Sequence, residues 1–264
     1  MEYIERLLDE LHLEDLQNKL HPSIFDENDE YNMLILRLPV IAEKLEGQSF
    51  GFIFQGENSF LYNREQKKFE ILDGHFMGPY KIIDPMTDAL LKGFERYRSM
   101  IIDMEEHLYQ DKSIVGFMTN WIDIKRDMLL IERILRRTSE MLLLMIQHYQ
   151  ETKDFPINHY VDMHEHMERI LHSATHQLSK LDYLYNFYSA RANDKMNKMI
   201  YILTIISAIF LPLNLLVGFF GMNTSGLPFT SSETGGTLYV VFLMFCLTSV
   251  TFFAAVIWHK KTQK

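Results

Sequence analysis

The sequence predicts an α+β membrane protein with a small N-terminal α/β domain, a long helical stalk and two C-terminal transmembrane helices. Two runs without a charged residue, at positions 199–220 and 237–258, are each about as long as a membrane-spanning helix. The residues before them are rich in charge, and their apolar positions follow strand and then helix periods. We therefore expect a water-exposed N-terminal part and a membrane-embedded C-terminal part.

The N-terminal domain is predicted at residues 1–85. Apolar residues from Ile4 to Leu11 recur at helical spacing and Pro22 ends the pattern, which indicates one or two short helices within residues 1–21. An acidic turn at 26–30 precedes the first strand, Pro39 ends that strand, and Gly56-Glu57 forms a hairpin turn. The predicted strands are residues 31–38, 49–55, 58–62 and 69–72.

A helical hairpin is predicted at residues 86–156, with helices at 87–110 and 115–152. The sequence Asp154-Phe155-Pro156 interrupts the helical pattern, and proline suits the first turn of a new helix. That helix is the stalk, residues 157–198, and we expect it to continue through the first span at 199–220 without a break. Its apolar stripe is typical of core packing and comprises Met163, Met167, Ile170, Leu171, Ala174, Leu178, Leu181 and Tyr185.

The distribution of lysines predicts the orientation of the chain. The loop between the spans, 221–236, has Glu233 as its only charged residue, whereas lysines flank the other ends of both spans. These are Lys195, Lys198 and, in the basic tail at 259–264, Lys260, Lys261 and Lys264. By the positive-inside rule both termini are cytoplasmic. The opening residues contain no apolar core of a signal peptide, so we expect an integral protein of a prokaryotic inner or plasma membrane.

Composition and motifs exclude several classes of function. The net charge of −9 argues against a broad nucleic-acid-binding face. Cys246 is the only cysteine, which leaves no internal disulfide or thiolate metal site. His164-Glu165-His166 lacks the spacing of a helical zinc-protease site, and neither a phosphate-binding glycine loop nor a nucleophile-elbow serine is present. We expect neither enzymatic activity nor a bound cofactor.

The stalk contains a histidine cluster that could bind a metal. His172 and His176 form an i, i+4 pair, and Glu168 precedes His172 by one turn on the same side. This line of residues lies opposite the apolar stripe, so a solvated surface is the alternative interpretation.

The polar residues of the first span lie on one line, which we call the polar seam. Apart from Tyr201, they recur at steps of three and four residues. The seam comprises Asn197, Ile200, Thr204, Ser207, Leu211, Asn214, Gly218 and Gly221, with Leu203 beside it. An amide facing lipid would leave its polar groups unpaired, so the seam should face protein or water. It is therefore either a packing face between helices or the wall of an ion path.

The end of the first span carries Gly221-Met222-Asn223, and Asn197, Leu203-Thr204 and Gly218 precede it. In this spacing the sequence resembles the CorA superfamily of divalent-cation channels and transporters, whose mark is Gly-Met-Asn at the outer end of this span. The ZntB-like branch of that superfamily often alters this tripeptide. Looser similarity extends to His12-Leu13-Glu14-Asp15-Leu16 and to Tyr160-Val161-Asp162.

The resemblance implies a homopentamer whose first span lines a central pore while the second packs outside it. Gly221, Met222 and Asn223 would form the outer mouth, the polar seam with Leu203 the pore wall, and the C-terminal lysines an inner basic ring. The expected partners are other copies of the chain, the lipid bilayer and divalent cations. Mg²⁺ is favoured because neutral oxygens can hold its hydration shell.

Zn²⁺, Co²⁺ or Ni²⁺ is the alternative cargo, because the loop at 224–228 is similar to that of the zinc-transporting branch. A membrane-anchored sensor or scaffold without transport is the alternative function.

Overall fold

The computed structural model describes residues 2–41, 44–110, 116–221 and 235–262, which fall into two compact units, Met1–Asn186 and Phe187–Lys264. The described elements are, in order, α1 (Glu2–Leu7), α2 (Glu10–Gln17), β1 (Ile24–Glu27), β2 (Asn32–Ile41), β3 (Leu45–Gln55), β4 (Asn58–Asn63), β5 (Lys68–Ile71), α3 (Met77–Tyr109), α4 (Phe117–Tyr149), α5 (Ile157–Phe220) and α6 (Gly235–Thr262).

The five strands form one antiparallel sheet in the order β1-β2-β3-β4-β5. The hairpin predicted around Gly56-Glu57 is confirmed, with Gln55 paired to Asn58 and Gly56 at a φ of 57°. Strand β1 was missed because its acidic residues predicted a turn. It is a four-residue edge strand, in which Asp26 and Glu27 pair with Met33 and Asn32 of β2.

The prediction that Pro39 ends the first strand is wrong, because Pro39 lies inside β2 opposite Gly47 of β3. Strand β1 pairs with β2 only as far as Ile35, so β2 is an edge strand on that side at Pro39. A proline costs no ladder hydrogen bond on such an open side.

One face of the sheet is covered by α1 and α2. Ile4 of α1, Leu16 of α2 and Leu8 between the two helices belong to a buried cluster with residues of the sheet such as Ile53 and Phe69. Helix α2 approaches β3 closely at Gly51, where an added Cβ would lie 2.3 Å from Leu16 Cδ2. The short N-terminal helices therefore belong to the core of unit 1.

Helix α4 packs against β1 and β2, and polar contacts fix this packing. Thr138 of α4 donates a 2.6 Å hydrogen bond to the Arg37 carbonyl, and its hydroxyl lies 2.7 Å from Ser23 Oγ. The side chains of Thr138 and Ser23 are both buried, so these contacts fasten α4 to the sheet in its interior.

Helix α3 begins at Met77 and contains Pro85, so the prediction that the helical part starts near Pro85 is wrong. The predicted boundary at residue 85 lies within this helix. The break before the stalk is confirmed, since α4 ends at Tyr149 and α5 starts directly after Pro156.

Within unit 1, the predicted apolar stripe of α5 is largely buried. Met163, Met167, Ile170, Ala174 and Leu181 are fully covered, which confirms core packing. Leu178 is half-buried, and Tyr185 is 38% exposed.

Polar contacts hold α5 against α3 and α4 just before unit 1 ends. The Trp121 indole donates a 2.8 Å hydrogen bond to the Leu181 carbonyl, and Lys125 lies 2.5 Å from Asp182. On the α3 side, Lys180 Nζ lies 2.5 Å from Glu105 Oε2. Residues 180–182 are thus tied to both other helices.

Unit 2 contains α5 from Phe187 onward and α6. Among the described residues, α5 is the helix long and apolar enough to cross a membrane. The segment Leu238–Thr251 of α6 is apolar but shorter than a full span. The second span, predicted at 237–258, lies within α6 and remains a prediction.

Candidate ion-conducting helix

The polar seam is uncovered along its whole described length. Its members from Asn197 to Gly221 are all exposed to solvent in the single chain. Its apolar members Ile200 and Leu211 are 54% and 67% exposed, and the neighbouring Leu203 is 64% exposed. Among the described residues, no side chain of the same chain therefore screens this edge of α5.

The side of α5 that is partly covered lies opposite the seam. Half-buried residues recur at Tyr201, Ile205, Ile209, Leu216 and Phe220, which mark one face at helical spacing. At about 100° per residue, the centre of this face lies roughly 160–200° around the helix from the centre of the polar seam. In α6, half-buried positions such as Val240, Leu243 and Leu247 also share one face. Each helix of unit 2 thus has one covered side, and the amides and aliphatic hydroxyls of the polar seam are on the other side of α5.

The hydrogen bonding of the seam leaves acceptors available. Thr204 Oγ1 donates to the Ile200 carbonyl at 2.8 Å, so its proton is used within the helix and its lone pairs point elsewhere. The edge therefore offers neutral oxygens, which suits contact with water or with hydrated cations.

The end of α5 requires a glycine. The Gly221 N–H donates to the Val217 carbonyl at 2.8 Å, and an added Cβ at Gly221 would lie 2.8 Å from that same oxygen. A Cβ at Gly218, by contrast, would meet no atom of the described residues within 4 Å. Any steric reason for glycine at position 218 must therefore come from outside the described part of this chain.

Several predicted site residues lie outside the described residues. These are Met222 and Asn223 of the Gly-Met-Asn motif, Lys264, and the side chains of Lys260 and Lys261. Their predicted roles at the outer mouth and in the inner basic ring remain predictions.

The predicted metal site at Glu168, His172 and His176 is not formed. Glu168 lies 3.5 Å from His172 Nε2, but it also accepts a hydrogen bond from Ser139 of α4. His172 is 81% exposed and His176 is also exposed. Among the residues that the structure describes, no three histidine, cysteine or acidic side chains are placed to hold a metal ion. The solvated-surface interpretation fits better, with Glu168 turned toward α4.

The contact of Ser139 with His164 and Glu168 was missed, because these residues are distant in sequence. Ser139 Oγ lies 2.9 Å from His164 Nε2, and Ser139 is buried. The Glu168 carboxylate accepts a hydrogen bond from Ser139 itself, whereas the carboxylate of a hydrolase triad accepts one from the histidine and orients it. This group fastens α4 to α5, and its serine is buried.

His166 is a second polar contact that the sequence did not reveal. It lies 3.7 Å from Asp88 of α3 and 3.8 Å from Asp162, one turn before it. Nearby, burial raises the pKa of Tyr80, and Asp84 adds to this shift. These side chains join α3 to α5 within unit 1.

The chain matches known proteins over nearly its whole length. A family model described as CorA-like Mg²⁺ transporter protein matches residues 2–261. The chain belongs to this CorA-like family. The family consists of metal ion transporters of the membrane rather than enzymes, in agreement with the sequence-based expectation.

Individual relatives are distant. The zinc transport protein ZntB of Yersinia enterocolitica is 23% identical over 185 residues, which cover 70% of this chain and 54% of the relative. The chain thus spans about half the length of the first curated relatives it matches. ZntB of Vibrio parahaemolyticus is 22% identical, over 90% of this chain and 76% of the relative.

The fold is likewise CorA-like. The structure of the CorA magnesium transporter from Methanocaldococcus jannaschii superimposes with a TM-score of 0.72, at 15% identity, over 95% of this chain and 84% of that one. The similarity covers both the N-terminal α/β domain and the long helix, so this CorA-like member has the architecture that its sequence predicted for those parts.

Proposed function

We propose that this CorA-like chain conducts divalent metal cations through the central pore of a homopentamer, with Mg²⁺ preferred. One span per subunit cannot enclose a hydrated ion, so several α5 helices must surround the path. Asn223 would collect cations at the outer mouth, and the polar seam would line the path into a prokaryotic cytoplasm that holds both termini.

The observation that carries this proposal is the exposure of the polar seam on the side of α5 opposite its covered face. In a bilayer, this edge would expose Asn197 and Asn214 to lipid unless other copies of the chain enclosed it. A ring of copies places these amides around water, with the apolar collars at Ile200 and Leu211 between them. A scaffold that only anchors itself has no need of this edge.

The chemistry of the seam supports Mg²⁺ over softer metals. Residues 199–221 contain amide, hydroxyl and carbonyl oxygens but no histidine, cysteine or carboxylate. Hard, strongly hydrated Mg²⁺ is well served by such oxygens, whereas Zn²⁺ prefers nitrogen and sulfur ligands. The ZntB relatives make Zn²⁺ the second candidate, with Co²⁺ and Ni²⁺ behind it.

The test is metal uptake into vesicles that contain the purified protein. We expect Asn223→Ala and Asn214→Ala to abolish or strongly reduce Mg²⁺ uptake. Leu213→Ala, a neighbouring truncation on the half-covered side of α5, should retain it. Wild-type uptake no higher than that of protein-free vesicles would favour the scaffold, and uptake that Asn223→Ala and Asn214→Ala leave unchanged would contradict the roles proposed for these residues. Parallel assays with Zn²⁺, Co²⁺ and Ni²⁺, with and without a pH gradient, determine the ion and the driving force.

The assembly is tested by cross-linking in bilayers. The single native cysteine allows a Cys246→Ala background in which one new cysteine reports one position. Leu211→Cys on the seam should cross-link to higher oligomers up to the pentamer with a short bifunctional reagent, whereas Leu213→Cys should not. A monomer at both positions would contradict the pore.

A further inference from the structure

Three cationic side chains form a stripe on α5 immediately before the apolar run. Arg191, Lys195 and Lys198 follow one another at i, i+4 and i+7, so they lie within an arc of about 60°. We call them the basic stripe. Lys195 and Lys198 are exposed and form no ion pair within the described part of the chain, and Arg191 packs over the Phe187 ring at 5.7 Å.

The basic stripe lies on the side of α5 opposite the polar seam. At about 100° per residue, its centre is roughly 180° from the centre of the seam. The stripe continues instead into the face marked by Ile209, Leu216 and Phe220, which is half-buried. If the seam faces the ion path, these cations face away from it, where they cannot repel an entering divalent ion.

The depth of the stripe matches the headgroup layer of a bilayer. Lys198 directly precedes the span, Lys195 lies about 4.5 Å further along the axis and Arg191 about 10.5 Å. Each headgroup layer is about 5–8 Å thick, and lysine and arginine side chains can extend toward it along the helix. Two lysines therefore fall within this layer, and the arginine lies at its water side.

We propose that the basic stripe binds the headgroups of anionic phospholipids in the cytoplasmic leaflet. Charge complementarity supports this partner, because the chain as a whole is acidic, with a net charge of −9, and without a basic patch it would be repelled by such a surface. The proposal rests on the proposed function for the placement of α5 in the membrane. It goes beyond a topology signal, which needs only the number of lysines on one side and is indifferent to the helix face.

The test is binding of fluorescent phosphatidylglycerol to the purified full-length protein in mixed micelles, with phosphatidylcholine as the neutral control. At about one kcal/mol per basic residue, Lys195→Gln with Lys198→Gln should weaken binding of the anionic lipid about 30-fold and leave the neutral lipid unaffected. The Lys195→Arg, Lys198→Arg protein should bind like the wild type, and high salt should abolish the difference.

A relocation variant separates the helix face from the charge. It combines the two glutamine substitutions with Asn193→Lys and Met196→Lys, which restore both charges at similar depth on the seam side. This variant should still bind phosphatidylglycerol as weakly as the glutamine variant does. If the glutamine variant binds phosphatidylglycerol as tightly as the wild type does, the proposal is overturned. If the relocation variant does so, the helix face does not matter and the proposal is overturned as well.

Failure of this inference is distinguishable from failure of the proposed function. Asn223→Ala should lose metal uptake and keep its preference for phosphatidylglycerol. If the wild type transports metal but shows no lipid preference, the inference fails alone. If it binds the anionic lipid through the stripe but conducts no metal, the proposed function fails alone.

Discussion

The close approach of α2 to the sheet gives a prediction whose magnitude follows from the structure. In Gly51→Ala the new methyl carbon would lie 2.3 Å from Leu16 Cδ2, more than 1 Å inside the ordinary contact range that begins at 3.4 Å. Leu16 is 0% exposed and lies in a closed cluster, so it has no free space to move into. Overpacking of this kind costs about 1–3 kcal/mol.

The compensating variant is Leu16→Val, which removes one methylene unit and the clashing Cδ position. Alone it should cost about 1 kcal/mol, as shortening a buried side chain usually does. Combined with Gly51→Ala, the volume is nearly conserved, so the double variant should be less destabilised than the sum of the two single changes by about 1 kcal/mol or more.

The assay is unfolding of the full-length protein followed by the fluorescence of one tryptophan. The chain has two, Trp121 and Trp258, and Trp258→Phe leaves Trp121, whose indole bonds to the Leu181 carbonyl of α5. The Gly51→Ala transition should shift to lower temperature by several degrees. Additive effects in the double variant, or an unchanged midpoint for Gly51→Ala, would refute the assignment of α2 to the core.

Three further outcomes follow from single contacts. Burial lowers the pKa of His75 below its ordinary 6.5, so only the unfolded chain gains a proton as the pH falls through that value. The folded state therefore loses stability between about pH 7.5 and 5.5, and His75→Gln should reduce this loss in unfolding measured across that range. Lys180→Met should destabilise unit 1 by about 1–2 kcal/mol in chemical denaturation, and much less in a Glu105→Gln background, because the partly buried pair is already broken. Replacing both His172 and His176 should leave the Zn²⁺ affinity in isothermal titration unchanged. A loss of affinity above tenfold would support the metal site that the sequence predicted.

Periodicity identified the long elements because it depends on local spacing. The break at Pro156, the buried stripe from Met163 to Leu181 and the hairpin at Gly56 were all predicted correctly. The errors concern short or proline-containing segments. Strand β1 is only four residues long and acidic, and its pairing with β2 is a tertiary fact.

Prolines misled the prediction for different reasons. Pro39 is tolerated because β1 stops short of it, and nothing in the local sequence encodes the length of a neighbouring strand. Pro85 lies within α3, where Thr87 is 1% exposed and Leu90 2%. Packing of the helix on either side outweighs the one hydrogen bond that proline removes.

The sequence by itself determined which edge of α5 is polar, since a helix of fixed period converts spacing into direction. The sequence also determined the basic stripe. The position of this stripe opposite the seam became informative only when the structure showed that the same side of α5 is partly covered. Only the tertiary structure decided that the seam is uncovered, that Glu168 turns to Ser139 instead of completing a metal site, and that β1 exists. Those facts depend on contacts between residues distant along the chain, such as Ser139 with Glu168, and a local pattern carries no information about them.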